Sequence, residues 1–235
     1  MIMNFYDVIK RAKEEGRRKL LEHEAFELMN SFGLPVPKFG LARSPDEAVT
    51  IASKIGFPIV LKIVSPDIIH KSDVGGVVLN LKDEDEVRKG FEQIMNNVKK
   101  NAPSAKIEGV LVQEMVPEGL EVIVGSTRDR IFGPVVMFGL GGIFVEILKD
   151  VSLKIAPVTE VDVDDMMGEI KSGRILVEGY RGMAPRDIKA IKEIVTKVSD
   201  IMIEVPEIKD IDLNPIMLYE ENRGAKVADA RVLLG

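Results

Sequence analysis

Apolar positions in several parts of the chain recur at helical spacing. Between residues 5 and 30 they lie among many charges, which predicts helical structure interrupted near Gly16. Residues 44–47 read Ser-Pro-Asp-Glu, the form of a capping box, so a helix is predicted from there to about residue 55. Asp83 with Glu86 opens a similar pattern that predicts a helix to about residue 99.

Short apolar runs rich in β-branched residues separate these helical segments. The runs at 58–64, 77–81 and 107–113 each predict a strand. The order strand, loop, strand, helix, strand is typical of an α+β layer. We therefore expect the three strands to belong to one sheet.

The second half of the chain repeats this mixture. Two strand-like runs, 119–129 and 131–139, predict a hairpin that turns near Asp129, and glycines cluster at 139–142. Further periodicities predict helices at 159–170 and 186–203 and strands at 208–218 and 225–230. No linker or repeat interrupts the pattern. We expect one subdomain over residues 1–112 and another over 113–235, joined by a tight hinge, with the option that residues 1–20 pack on the second subdomain.

Composition narrows the class of protein. The 235 residues carry a formal charge of −6 and no cysteine. This charge argues against a nucleic-acid partner, and the lack of cysteine excludes disulfides and thiolate catalysis. The first twenty residues have no apolar signal-like segment, and no run is long enough to span a bilayer. The expectation is a soluble cytoplasmic protein without a membrane partner.

Lys62 and the loop that follows it are the first candidates for chemistry. Lys62 lies in the middle of the strand PIVLKIV, where a nucleotide phosphate would supply its counter-charge, or where an edge strand would let it reach water. Eight residues later His70 precedes Gly75 and Gly76, whose missing side chains let backbone N–H groups approach phosphate oxygens. Taken alone, the histidine could be a solvated loop residue, and the glycines could form an ordinary turn.

Residues 110–121 supply a second candidate. The strand at 110–113 runs into Glu114, Met115 and Val116, whose backbone could meet an adenine edge while the apolar side chains line its ring. Glu121 could accept hydrogen bonds from ribose hydroxyls. A strand end with a charged turn explains the same residues equally well.

A third candidate lies near the C-terminus. Alternation places Asp210, Asp212 and Asn214 on one face of a strand, and Asp229 follows on the next strand. Oxygen ligands from two neighbouring strands suit Mg²⁺. The alternative is an exposed polar strand face.

In this order and spacing, the elements resemble the ATP-grasp superfamily. The loop SPDIIHKSDVGGV, the hinge QEMV, the cluster FGLGG and the pair DIDLNP and ADARV are similar to those of β subunits of ADP-forming acetyl-CoA synthetases, relatives of succinyl-CoA synthetase. The resemblance implies an ATP-grasp fold of two α/β subdomains that enclose the nucleotide. It also implies a reversible reaction in which acyl-CoA, phosphate and ADP become the free acid, CoA and ATP.

The resemblance implies a role for each candidate residue. Nucleotide-contacting positions, for ATP or ADP, would be Lys62, Gly75, Gly76, Glu114, Met115, Val116 and Glu121. Magnesium would bind Asn214 and Asp229, His70 would be a phosphohistidine, and Asp212 would neighbour it. A CoA-binding α subunit would be the partner, in an α2β2 heterotetramer.

Two other functions would use parts of the same pattern. A nucleotide-sensing domain would keep Lys62 and the hinge but have no use for His70 and Asp212. A self-contained ligase that joins a carboxylate to an amine normally adds a substrate domain, for which 235 residues leave little room.

Overall fold

The computed structural model describes residues 5–142, 149–180 and 182–235, which form helices and antiparallel strands. The helices are α1 (Phe5–Glu14), α2 (Glu22–Ser31), α3 (Pro45–Ile55), α4 (Glu84–Asn101), α5 (Glu160–Glu169), α6 (Gly173–Glu178) and α7 (Ile188–Glu204). The strands are β1 (Phe39–Ala42), β2 (Ile59–Val64), β3 (Val77–Leu81), β4 (Gly109–Glu114), β5 (Leu120–Asp129), β6 (Gly133–Leu140), β7 (Val151–Ile155), β8 (Ile208–Leu218), β9 (Ala225–Val227) and β10 (Ala230–Leu234). The α+β prediction is confirmed.

Chain contacts divide the protein into two units. The histidine-loop unit contains residues 21–24 and 37–116, and the acidic-strand unit contains the described residues of 1–20, 25–36 and 117–235. The predicted division after residue 112 differs from this one. Residues 113–116 stay with the histidine-loop unit because the N–H groups of Glu114 and Met115 donate to the carbonyls of Lys38 and Pro58.

The N-terminal segments join the acidic-strand unit through specific backbone contacts. Leu20 N–H donates to the carbonyl of Val232 over 3.0 Å, and Val227 N–H donates to the carbonyl of Pro35 over 2.9 Å. The described residues 5–20 group with the acidic-strand unit, and the packing of residues 1–20 on a second subdomain stays a prediction. Residues 1–4, which belong to the predicted subdomain 1–112 and to the segment 1–20, lie outside the described residues. Residues 143–148 and 181 also lie outside them.

A four-stranded sheet is the frame of the histidine-loop unit. Its strand order is β1-β4-β2-β3, and every neighbouring pair is antiparallel. Helices α3 and α4 pack on this sheet, and the core between them includes Leu61, Ile63 and Ile94, all fully buried. Strand β2 thus lies inside the sheet, with a neighbour on each side.

The acidic-strand unit is built on a six-stranded sheet. Its order is β10-β8-β5-β6-β7, with β9 paired to β8. Helix α7 packs on β5, β6 and β8, so residues Ile211 and Leu213 of β8 are buried. Period-two alternation leaves Asp210, Asp212 and Asn214 on the opposite face.

Some elements differ from the predictions. The predicted strand 225–230 is correct only in part: residues 225–227 form β9, Ala228 and Asp229 follow outside any strand, and Ala230 begins β10. The sequence pattern also gives no prediction of β1, β7 and α6. Strand β1 is only four residues long, and β7 lies at the sheet edge with Leu153 and Ile155 exposed, so neither has a strong burial pattern.

The predicted helix starts provide a test of local stability. The Asp83 carboxylate accepts a hydrogen bond from Glu86 N–H at 2.8 Å and so satisfies an unpaired donor in the first turn of α4. We expect Asp83→Ala to lower the free energy of unfolding by about 1 kcal/mol. Asp83→Asn keeps the acceptor and should remain close to the unsubstituted protein in urea denaturation. Equal losses from both substitutions would contradict this role for Asp83.

Candidate functional site

Lys62 is buried in the middle of an internal strand. Its register partners are Val77 on β3 and Leu111 on β4, so the alternative of an edge-strand lysine is wrong. The residue is 9% exposed, and its Nζ lies 2.6 Å from Glu22 Oε1. The required counter-charge is therefore present within the chain. The sheet fixes the backbone of Lys62, and the ion pair with Glu22 holds its ammonium.

Glu22 is the residue of this site that the sequence analysis missed. Its buried carboxylate, at the start of α2, accepts from Lys62 through Oε1 and from Lys71 through Oε2, the latter at 2.5 Å. Burial by itself raises the pKa of Glu22, but the two ammonium groups outweigh it and lower the pKa below its usual value. A lysine inside an apolar strand signals that a partner is needed. No spacing rule identifies an acid forty residues earlier.

His70 is exposed on the loop that connects β2 to β3. The preceding Ile68 is buried and Ile69 is 71% exposed, so the chain turns outward immediately before the histidine. On the other side, Lys71 binds Glu22. His70 thus lies between two anchored residues, Ile68 and Lys71. Its imidazole is accessible to solvent, and the neighbouring cation of Lys71 is held in place.

The two loop glycines have structural reasons that do not depend on a ligand. Gly75 has φ +66°, and a Cβ there would lie 2.7 Å from Asn97 Nδ2. At Gly76 a Cβ would lie 2.4 Å from Ile63 Cγ2 and 3.0 Å from the carbonyl oxygen of Lys71. These contacts explain the pair as parts of a tight turn against β2. The phosphate-loop role of the pair remains a prediction.

The predicted adenine hinge has its backbone donors partly occupied. The N–H groups of Glu114 and Met115 bind the carbonyls of Lys38 and Pro58, and the Glu114 carboxylate accepts from Lys38 N–H at 3.0 Å. Adenine contacts through these two N–H groups are therefore unavailable in this conformation. The half-buried side chains of Met115 and Val116 remain candidates for contact with a ring.

Glu121 lies in the acidic-strand unit, on β5, and its side chain is exposed. Its carbonyl accepts a hydrogen bond from Gly141 N–H at 2.8 Å, and a Cβ at Gly141 would lie 2.9 Å from Glu121 Cβ. The glycine cluster therefore allows a close approach of the chain beside Glu121. Its ribose-binding role remains a prediction.

The same unit brings together the predicted metal ligands. Asp212 pairs with Arg231 across β8 and β10, and Leu213 pairs with Ala230. Continuing this antiparallel register by one residue places Asn214 opposite Asp229. Asn214 is exposed and Asp229 half-buried, so both offer oxygen atoms on the polar side of β8.

The surroundings of Asp212 raise the pKa of its carboxyl group. Burial raises its pKa most, and the negative charge of Asp229 raises it further, whereas Arg231, with Nη2 3.3 Å from Asp212 Oδ2, opposes the rise. A cation placed near two neighbouring carboxylates favours their charged forms. The amide and carboxylate oxygens of Asn214 and Asp229 are hard ligands that fit Mg²⁺. Within the described residues no group of three acidic, histidine or cysteine side chains is arranged for a metal, so other ligands would have to complete the shell.

The helices of the structure can be tested for the ability to cross a membrane. Among the described residues, no helix combines the length and the apolar character that crossing a bilayer requires.

Comparison with known proteins places the chain among relatives. The model of the ATP-grasp domain matches residues 11–234. The β subunit of acetate–CoA ligase (ADP-forming) I of Pyrococcus furiosus is 51% identical over 97% of this chain and 97% of that protein. The 4-hydroxybutyrate–CoA ligase (ADP-forming) of Nitrosopumilus maritimus is 46% identical over 96% of this chain, which spans only 32% of that longer protein.

Solved structures of the acetyl-coenzyme A synthetase 1 of Candidatus Korarchaeum cryptofilum are also similar. The complex with coenzyme A and Ca-AMPCP has a TM-score of 0.94 and 51% identity, and covers 99% of this chain and 100% of that one. A second complex contains coenzyme A and Mg-AMPPCP, and its phosphohistidine segment points towards the nucleotide-binding site. That structure has a TM-score of 0.87 and 47% identity, and covers 99% of this chain and 100% of that one. With this agreement over nearly its whole length, the chain belongs to the ATP-grasp family and, within it, to the β subunits of ADP-forming acetate–CoA ligases.

Proposed function

We propose that this chain is the nucleotide-binding subunit of an ADP-forming acyl-CoA synthetase and that His70 carries a phosphoryl group between a CoA-binding partner subunit and ADP. The complete reaction converts acetyl-CoA, ADP and phosphate into acetate, CoA and ATP, and it is reversible. The observation that carries the proposal is the exposed His70 on a loop whose Lys71 shares the carboxylate of Glu22 with buried Lys62. The phosphohistidine segment of the Korarchaeum relative supports it.

The histidine suits a covalent transfer. A neutral imidazole nitrogen is a competent nucleophile near pH 7, and its exposure lets it meet a partner protein. In the first step this nitrogen attacks the phosphorus of a phosphohistidine that we propose forms on the CoA-binding subunit, so one P–N bond forms as the other breaks. In the second step an oxygen of the ADP β-phosphate attacks the same phosphorus, which forms ATP and frees His70. Asp212 would serve the same transfer step, as the resemblance implies.

The other candidate residues would bind and orient the nucleotide. Lys62 would contact phosphate oxygens, and the turn at Gly75 and Gly76 would bring backbone N–H groups towards them. Residues 114–116 would line the adenine, and Glu121 would accept from ribose hydroxyls. Asn214 and Asp229 would hold Mg²⁺, which when bound offsets phosphate charge. These assignments rest on position in the fold and on the resemblance.

The partner follows from the division of the chemistry. The relatives are β subunits or parts of longer CoA ligases, and the Korarchaeum structures contain coenzyme A. We place acyl-CoA binding and formation of the acyl phosphate on a separate α subunit, in an α2β2 heterotetramer. A covalent carrier on the β subunit then connects two reaction centres on different chains.

The test separates nucleotide binding from complete turnover. By calorimetry, the chain alone should bind Mg-ADP, because the proposed nucleotide contacts all lie on it. It should form no ATP from acetyl-CoA, ADP and phosphate until the CoA-binding subunit is added. Acetyl-CoA-dependent ATP synthesis by the chain alone would contradict the proposal. Nucleotide binding with no ATP synthesis even in the co-purified complex would favour the nucleotide-sensing alternative.

A further inference from the structure

Glu22 connects two residues with different proposed tasks. Its Oε1 lies 2.6 Å from Nζ of Lys62, the proposed phosphate contact, and its Oε2 lies 2.5 Å from Nζ of Lys71, the neighbour of His70. The three side chains come from α2, from β2 and from the loop, and all belong to the histidine-loop unit. One carboxylate therefore joins a rigid strand to the loop that presents the histidine.

The position of this ion pair along the loop determines its mechanical effect. The early part of the loop is fixed where Lys106 N–H donates to the Asp67 carboxylate at 2.7 Å. The late part is fixed where Asn97 and Asn101 of α4 donate to the carbonyls of Gly75 and Val74. The Lys71 ion pair lies between these attachments, and Lys71 directly follows His70 in the chain. Its loss would free the loop at the residue that carries the chemistry.

Burial makes the pair a strong orienting contact. The Glu22 side chain is 4% exposed, and the side chains of Lys62 and Lys71 are 11% and 24% exposed, so water screens the charges weakly. Both oxygens of one planar carboxylate are engaged, which fixes its orientation as well as its position. An ion pair between a lysine and a carboxylate that are both exposed to solvent would hold the loop far less firmly.

From this geometry we propose that Glu22 is a positioning residue: through Lys71 it holds the His70 segment in register with Lys62 for phosphoryl transfer. The inference rests on the proposed function of His70. It adds Glu22, whose ion pairs are with Lys62 and Lys71 and which acts on the histidine only through Lys71. A reacting group displaced by about 1 Å can lose on the order of a hundredfold in rate. Loosening this contact should therefore affect transfer more than binding.

The first experiment measures loop order in the full chain without nucleotide. Hydrogen exchange is followed at the amides of Gly75 and Gly76, which donate to the carbonyls of Ser72 and Lys71. Glu22→Gln and Lys71→Met should each accelerate exchange in this loop, whereas Lys71→Arg, which can still pair with the carboxylate, should restore protection. Lys82→Met, which removes an exposed lysine of the same unit, is the matched control. Unchanged loop exchange in Glu22→Gln and Lys71→Met would overturn the proposal, whether or not the protein is a synthetase.

The second experiment measures the complete α–β complex. At saturating Mg-ADP, Lys71→Met should slow transfer from the loop to ADP by about tenfold or more, with ADP affinity unchanged because Lys62 and Glu22 remain paired. Glu22→Gln should slow transfer at least as much, and adding Lys71→Met to it should cause little further loss. Additive losses, or equal losses in affinity and rate, would show a general structural role and overturn the inference. Absence of ATP synthesis in the unsubstituted complex would instead overturn the proposed function.

Discussion

His70→Ala is expected to reduce phosphoryl transfer to ADP in the α–β complex by about three orders of magnitude or more, because alanine cannot form the phosphoramidate. Mg-ADP affinity should stay close to that of the unsubstituted chain, since Lys62 and the hinge are intact. The acyl-CoA half-reaction should still proceed on the partner. Acid-labile, base-stable label from phosphate and acetyl-CoA should therefore accumulate on the CoA-binding subunit and not on this chain.

The same labelling experiment has a control within the loop. Ser72 is exposed two residues from His70, and its carbonyl is the group that accepts from Gly75 N–H. Ser72→Ala keeps this carbonyl and should transfer label at the unsubstituted rate. ATP synthesis at the unsubstituted rate by the His70→Ala complex would show that the histidine is an ordinary loop residue.

The second large effect concerns the metal. Asp229→Ala should weaken nucleotide binding by about tenfold to a hundredfold when Mg²⁺ is present, because it removes a proposed oxygen ligand. Without Mg²⁺ the affinity should change little, since no proposed adenine or ribose contact is lost. The measurement is calorimetric titration of ADP in Mg²⁺ and in chelator.

A matched substitution tests whether charge alone explains the result. Asp200 is exposed on α7 of the same unit, so Asp200→Ala removes an equal charge away from the proposed metal ligands. It should leave both affinities unchanged. If Asp229→Ala weakens binding equally with and without Mg²⁺, Asp229 has a structural role at the start of β10 and is not a metal ligand.

The sequence by itself determined most of the local structure and the nature of the chemistry. Periodicity and caps predicted the bounds of α3, α4 and β8 almost to the residue. A buried helix or strand face requires apolar residues at a period of 3.6 or 2, which is visible in the sequence. Alternation in β8 also predicted the polar face with Asp212 and Asn214. Residue types with special chemistry, such as His70, were visible for the same reason. Short or exposed elements, such as β1 and β7, have no such regular apolar spacing and were not predicted.

Only the tertiary structure decided which distant residues share a site. The sequence showed that Lys62 needs a counter-charge, but Glu22 became its partner through chain packing across forty residues. Likewise, the fold assigned the described residues 5–20 and 25–36 to the acidic-strand unit and residues 113–116 to the histidine-loop unit. It also showed that Gly76 is required by the proximity of Ile63. Such contacts depend on the three-dimensional path of the chain, so local spacing carries no record of them, whereas helices, strands and reactive residue types are encoded locally.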